Sequence, residues 1–157
     1  MSGKRIDRAE REISAPAIEI YRAFVEAAAL EVWLPPKGMS AKVHQINPVE
    51  GGGYDMSLYH EGTAPTVAGK TSEREDRFRV VFDELRPGRH IVQRVIFDAS
   101  DPSFAGAMKQ TWRFVRDDQK TVVSVACEDV PPGIRPEDHS IGLNSSLENL
   151  AAMVERA

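Results

Sequence analysis

The chain has 157 residues, a formal net charge of −4 and an isoelectric point of about 5.6, and its Lys and Arg form no dense run, which excludes an electrostatic grip on nucleic acid or on an anionic membrane. Hydrophobic residues at 41% and charged residues at 28% fit one folded domain over 1–157 rather than a disordered chain. No apolar run approaches the ~20 residues of a membrane span; MSGKRIDRAERE at the start shows no signal peptide, and a lone Cys127 allows no internal disulfide, so a reduced cytoplasm is expected.

Arg5 to Ile13 reads as a charged edge strand, crowded by Arg8, Glu10, Arg11 and Glu12, a pattern that an edge tolerates. Ser14 and Ala15 then offer a cap, and Pro16 suits the first turn of a helix. Ile20, Phe24 and Ala27 recur at helical spacing, with Tyr21 and Val25 widening the stripe. A second short helix, Ala28 to Leu34, ends at Pro35-Pro36. The period then changes. Ser40 to Ile46 is a short strand, and Asn47, Pro48 and Gly51 to Gly53 mark a turn. Tyr54, Met56, Leu58 and His60 alternate with Asp55, Ser57 and Tyr59. Gly62 to Gly69 reads as a loop. Phe78, Val80 and Phe82 share a face, Arg86-Pro87-Gly88-Arg89 is a tight turn, and Ile91, Val95 and Phe97 follow on one face with Gln93 among them. After a loop at Asp98 to Gly106, Met108, Gln110, Trp112 and Phe114 alternate, and Asp117-Asp118 turns the chain into Thr121 to Glu128. Hairpins at this spacing make an antiparallel meander.

Pro131-Pro132-Gly133 breaks the meander, and the last helix begins near Pro136. Leu143, Leu147, Leu150 and Val154 are spaced 4, 3 and 4 and form one stripe. Four residues before Leu143 stands His139, with Gly142 and Ser146 flanking the stripe. A helix-interior glycine costs about 1 kcal/mol relative to alanine. Two reasons would explain Gly142: close approach of the helix to a strand, or room for a ligand. The element order is strand, two short helices, about six strands and one long helix. That is an α+β domain, economically packed as a curved antiparallel sheet wrapped around the C-terminal helix.

Several motifs suggest chemistry and lack its context. Gly69-Lys70-Thr71 has Ala64 where a phosphate loop needs glycine, and an alternating segment follows where a helix is needed. His44, His60, His90 and His139 have no metal-ligand spacing. Ser145 and Ser146 lack a nucleophile elbow. Cys127 sits in a strand as a small apolar residue. No cofactor is expected.

The chain resembles the START-like, or SRPBCC, superfamily with its helix-grip fold. Within it, the closest likeness is to homologues of the activator of a heat-shock chaperone ATPase, also described as polyketide-cyclase-like. The likeness is carried by ISAPAIEIYRAF (Ile13 to Phe24), LEVWLPP (Leu30 to Pro36), GGGYDMSL (Gly51 to Leu58), GKTSEREDRF (Gly69 to Phe78), FDASDPSFAG (Phe97 to Gly106) and EDVPPGIRPEDHSIGLNSSLENLAAMVE (Glu128 to Glu155). The family's Gly-Trp pair in the last helix reads Gly142-Leu143 here. The resemblance implies an apolar cavity between sheet and helix that takes a small hydrophobic molecule, with a homodimer left open.

The expected ligand-binding residues are Trp33, Met56, Leu58, His60, Phe82, Gln93, Gln110, Trp112, His139, Leu143 and Ser146. Trp33 is expected over the cavity entrance. The two glutamines interrupt apolar strand faces, though each could instead satisfy a backbone group. Binding or carriage without catalysis is the leading expectation. The alternatives are a cyclase or hydratase using His60, His139 or Glu128 as acid or base, and a module that activates a chaperone ATPase. The enzyme alternative requires at least two of its groups to point into one pocket.

Overall fold

A computed structural model describes residues 5–36, 38–60 and 75–155. The expectations for Gly62 to Gly69 and for Gly69-Lys70-Thr71 lie outside the described residues. Strand β1 (Ile6–Ile13) leads into two short helices, α1 (Ala17–Arg22) and α2 (Ala27–Trp33). Six strands follow: β2 (Met39–Asn47), β3 (Gly53–His60), β4 (Glu75–Arg86), β5 (His90–Phe97), β6 (Ala107–Asp117) and β7 (Lys120–Glu128). A 3₁₀ turn at Pro102–Phe104 interrupts the β5–β6 connection, and the long helix α3 (Pro136–Glu155) ends the order. The α+β expectation holds; α1 ends at Arg22, short of the expected Ile20-Phe24-Ala27 stripe, and Ala27 instead opens α2. Pro16 itself is the residue that caps α1, in an extended conformation (φ −66°, ψ 144°), because its fixed φ suits the entry to a helix and it lacks the N–H that would be orphaned there.

The strands form one antiparallel sheet in the order β1-β7-β6-β5-β4-β3-β2. Successive hairpins account for β2 through β7, and β1 returns to pair with β7, Ile6 opposite Glu128 and Ile13 opposite Thr121. Register shifts between Val43 and Gln45 and between Phe82 and Glu84 mark bulges, which bend their strands and increase local twist. Gly53 permits a close approach: a Cβ there would meet the Val80 carbonyl oxygen at 1.8 Å. The glycine run is therefore a place where β3 and β4 come together, with Gly51 and Gly52 continuing the hydrogen bonds to Phe82.

The concave face buries Phe78, Val80 and Phe82 from β4, Ile91 and Val95 from β5, and Val123, Val125 and Cys127 from β7. Against it lies α3, whose Leu143, Leu147, Leu150, Ala151 and Val154 are buried. Its 4-3-4 apolar spacing produces this stripe, and truncating Leu147 or Leu150 to alanine would cost about 2–5 kcal/mol. Among the described residues, four side-chain hydrogen bonds tie the helix to β1 and to the segments around α1 and α2: His139 to Asp7, Ser146 to the Leu34 carbonyl, Asn149 to the Pro35 carbonyl, and the Ser14 backbone N–H to Glu155. Among the described residues no helix is long and apolar enough to cross a membrane.

Candidate functional site

One end of the domain is solid. Phe24, at the close of α1, packs its ring 4.6 Å from Trp33 and 4.8 Å from Trp112, and the two indoles lie 5.9 Å apart. Trp33 is 1% exposed and donates its Nε1–H to the Ala23 carbonyl at 2.8 Å. A large ring whose single donor is satisfied can be buried whole. Trp33 is thus part of the packed core and does not sit over a cavity entrance. Met56, Phe82 and Trp112 are buried in that core as well.

The two interior glutamines bond to each other. Gln93 and Gln110 are paired across β5 and β6; Gln93 donates to Gln110 Oε1 at 2.9 Å, and Trp112 Nε1–H shares that acceptor at 3.3 Å. Gln93 Oε1 is left buried with no partner among the described residues. Neither glutamine reaches the cavity described next. Ser146 is held by its bond to Leu34, and Leu143 is 7% exposed in the apolar stripe.

The hollow lies at the opposite end, under the first turns of α3. There β2 starts, β3 ends, β4 starts and β5 ends, so antiparallel pairing brings Met39, His60, Leu58, Asp76 and Phe97 to one rim: Met39 is opposite His60, and Leu58 opposite Asp76. The cavity has a volume of about 630 Å³ and is open to solvent. Pro36, Met39, Leu58, Phe97, Phe104 and Ile134 supply its apolar wall; His60, Asp76, Asp101, Arg135, Asp138 and His139 supply its polar groups. The segment before α3 closes one side by leaning on the 3₁₀ turn, where Gly133 donates to the Ser103 carbonyl at 2.7 Å and a Cβ on Gly133 would strike the Phe104 ring at 2.9 Å. Gly142 also lines the cavity, and a Cβ built there meets nothing within 4 Å. Of the two sequence explanations for Gly142, close approach to a strand finds no neighbour, and open space fits.

Of the eleven residues expected from sequence to bind ligand, the structure brings Leu58, His60 and His139 to this cavity. Each histidine is held by an aspartate. His60 Nε2 lies 3.2 Å from Asp76 Oδ2, and His139 Nδ1 lies 2.7 Å from Asp7 Oδ2. Asp7 is in turn gripped by Arg5 through two hydrogen bonds, at 3.0 and 2.8 Å, and Arg5 reaches on to the Ile134 carbonyl at 2.7 Å. The Arg5 hydrogen bond holds the Asp7 carboxyl below the usual range; burial opposes this and the His139 bond assists it. Ser103 N–H and Oγ likewise lower Asp101.

Asp76 was missed in the sequence although its parity with Phe78, Val80 and Phe82 put it on the inner face. Asp7 was missed because its neighbours made β1 read as a solvated edge. Nothing in the local pattern marked Phe104 or Ile134. Glu128 does not line the cavity. Cys127 is fully buried, and burial pushes its thiol up to about 12, so it is not poised as a nucleophile. Among the described residues no group of three or more His, Cys, Asp or Glu side chains could hold a metal ion.

No curated protein is similar enough to the chain to be matched. Among solved structures, protein CV1439 from Chromobacterium violaceum is 32% identical, superposes with a TM-score of 0.83, and the likeness covers 96% of each chain. Protein NE0264 from Nitrosomonas europaea is 14% identical with a TM-score of 0.73, over 99% of this chain and 97% of that one. DynU16, a protein of the dynemicin biosynthetic locus, is 16% identical with a TM-score of 0.68, over 98% of this chain and 48% of its own; at such identities the likeness concerns the fold alone. Residues 14–155 match the family described as activator of Hsp90 ATPase homolog 1-like protein, and the chain belongs to that family, within the START-like, SRPBCC-type proteins.

Proposed function

We propose that the protein binds or carries one small, mostly apolar molecule in the cavity beneath the start of α3, with no chemistry of its own. The observation that carries this reading is the hollow itself: about 630 Å³, walled by six apolar side chains and roofed by a glycine with open space in front of it. Ligand pockets have this size and join an apolar wall to placed polar groups. Phe24, Trp33 and Trp112 fill the opposite end, which supports a molecule held at one end of the helix and not along its length. The single cysteine, buried and reduced, suits a cytoplasmic protein. Nile red, a neutral apolar dye, tests the reading: saturable binding with a blue-shifted emission is expected, and Gly142→Phe should abolish it by occupying the void. Absence of saturable binding in the unaltered protein would overturn it.

One observation favours a second reading. His60 and His139 both line the cavity, each backed by a carboxylate, which meets the geometric requirement for an acid–base enzyme of the cyclase or hydratase type. That reading requires turnover of a polyketide-like substrate that disappears in a His60→Ala, His139→Ala double variant still able to bind Nile red.

A further inference from the structure

Resting on the binding reading, a narrower conclusion concerns what the ligand must offer. We propose that the cavity selects neutral, hydroxyl-bearing apolar molecules and rejects acids, because His60 and His139 each present it with a hydrogen-bond-accepting ring nitrogen.

A carboxylate only accepts hydrogen bonds, so the histidine nitrogen facing it carries the hydrogen. His60 directs Nε2 to Asp76, and His139 directs Nδ1 to Asp7. In each neutral ring the other nitrogen, Nδ1 of His60 and Nε2 of His139, then holds a lone pair. Neither nitrogen has a hydrogen-bond partner among the described residues, and both histidines line the cavity. The aspartates therefore fix the tautomers as well as the ring positions, as a second layer of groups does for other histidine sites. A ligand hydroxyl donates to such a nitrogen, whereas an ether, a ketone or a carboxylate has no hydrogen to give.

The remaining charges point the same way. Among the described residues Asp101 and Asp138 line the cavity beside one cation, Arg135. The Arg135 side chain is 73% exposed and lies 3.4 Å from Glu137, so it is directed to the helix start and to water. An anionic ligand would meet the Asp101 and Asp138 carboxylates at the rim, and like charges placed together are unfavourable. A fatty acid is thus a poor occupant despite its apolar tail, and a phenol or sterol-like alcohol is a good one.

The test uses four probes of one shape on the full chain at pH 7.5: 2,6-dihydroxynaphthalene, its dimethyl ether, 2-naphthoate and 2-naphthylmethylamine, with Nile red as the reference for an intact cavity. The diol should bind at least about 10-fold more tightly than the ether, since a site built to accept from a hydroxyl penalises the analogue lacking it, and naphthoate should not compete. His60→Ala and His139→Ala should each shrink the diol-to-ether ratio toward one, a ratio in which a common change of affinity cancels. His60, at a strand end, serves as the deciding variant if His139→Ala fails to fold. Equal binding of diol and ether with Nile red still bound overturns this inference and leaves the binding reading standing. Tighter binding of the amine than of the diol overturns it in favour of charge selection. Loss of Nile red and of all four probes overturns both.

Discussion

Gly142→Ala separates the two explanations for the glycine. A helix-interior glycine is about 0.8–1.0 kcal/mol less favourable than alanine, chiefly through backbone entropy. The penalty is recovered only if the added methyl has space. Here a Cβ meets nothing within 4 Å outside its own helix, so no clash offsets the gain. The substitution should stabilise the protein by about 1 kcal/mol. Unfolding entropy is roughly 2.1 cal/mol/K per residue, which makes about 0.33 kcal/mol/K for a chain of this length. The expected rise in Tm is therefore about 3 °C, read by scanning calorimetry or by circular dichroism with matched urea melts. One methyl removes little of a cavity of about 630 Å³, so Nile red affinity should stay within about threefold. A fall in Tm would refute the reasoning, since it would mean that α3 sits against a surface the structure leaves open.

Other expectations follow from the same geometry. Gln110→Met should cost about 1–3 kcal/mol in a urea melt, because it strands both Gln93 Nε2 and Trp112 Nε1–H in the interior, whereas Gln93→Met, which removes an acceptor already lacking a partner, should stay within about 1 kcal/mol of the unaltered protein. Asp7→Asn should destabilise by about 1–3 kcal/mol at pH 7, the range for hydrogen bonds to charged groups. Asp7 has its folded-state pKa lowered, so its contribution is complete above the ordinary carboxylate value and lost as pH falls through the folded one; the gap between Asp7→Asn and the unaltered protein should close below about pH 4, and a gap that is constant down to pH 2 would contradict the Arg5 cause. Cys127, fully buried with its thiol pushed up to about 12, should react with a thiol reagent at pH 8 only after denaturation; fast labelling of the native protein would contradict its placement.

The periodicities that specify this fold are local, and local patterns are what a sequence displays. The 4-3-4 spacing from Leu143 to Val154 gave α3, and the alternation of Phe78, Val80 and Phe82 or of Met108, Gln110, Trp112 and Phe114 gave the concave face. The position of the hollow depends instead on how far bulky side chains reach across the interior. Alternation places Trp112 on the inner face, but it does not reveal that Phe24 and Trp33 meet it there and fill one end. The glutamines read as polar groups awaiting a partner, and each turned out to face the other, because register between two strands decides that and neither strand shows it alone. The histidines were visible by parity and by the count back from Leu143. Their aspartates come from β1 and β4, far away in the chain, and a pairing across 132 residues, His139 with Asp7, leaves no trace in local spacing.

The four hydrogen bonds that fix α3 divide the molecule mechanically. With His139 and Glu155 tied to the stretch from Asp7 to Ser14, and Ser146 and Asn149 tied to the carbonyls after α2, the roof cannot slide or lift without breaking several bonds together. For the guest proposed above, fitting molecules of different girth would fall to the 3₁₀ turn at Pro102–Phe104, which meets the strip before α3 through the Gly133–Ser103 bond, while Ile134 next to it is itself held by Arg5. Stiffness thus belongs to the tied helix, and under the binding proposal sequence drift in that short turn would retune which molecules fit without loosening the scaffold.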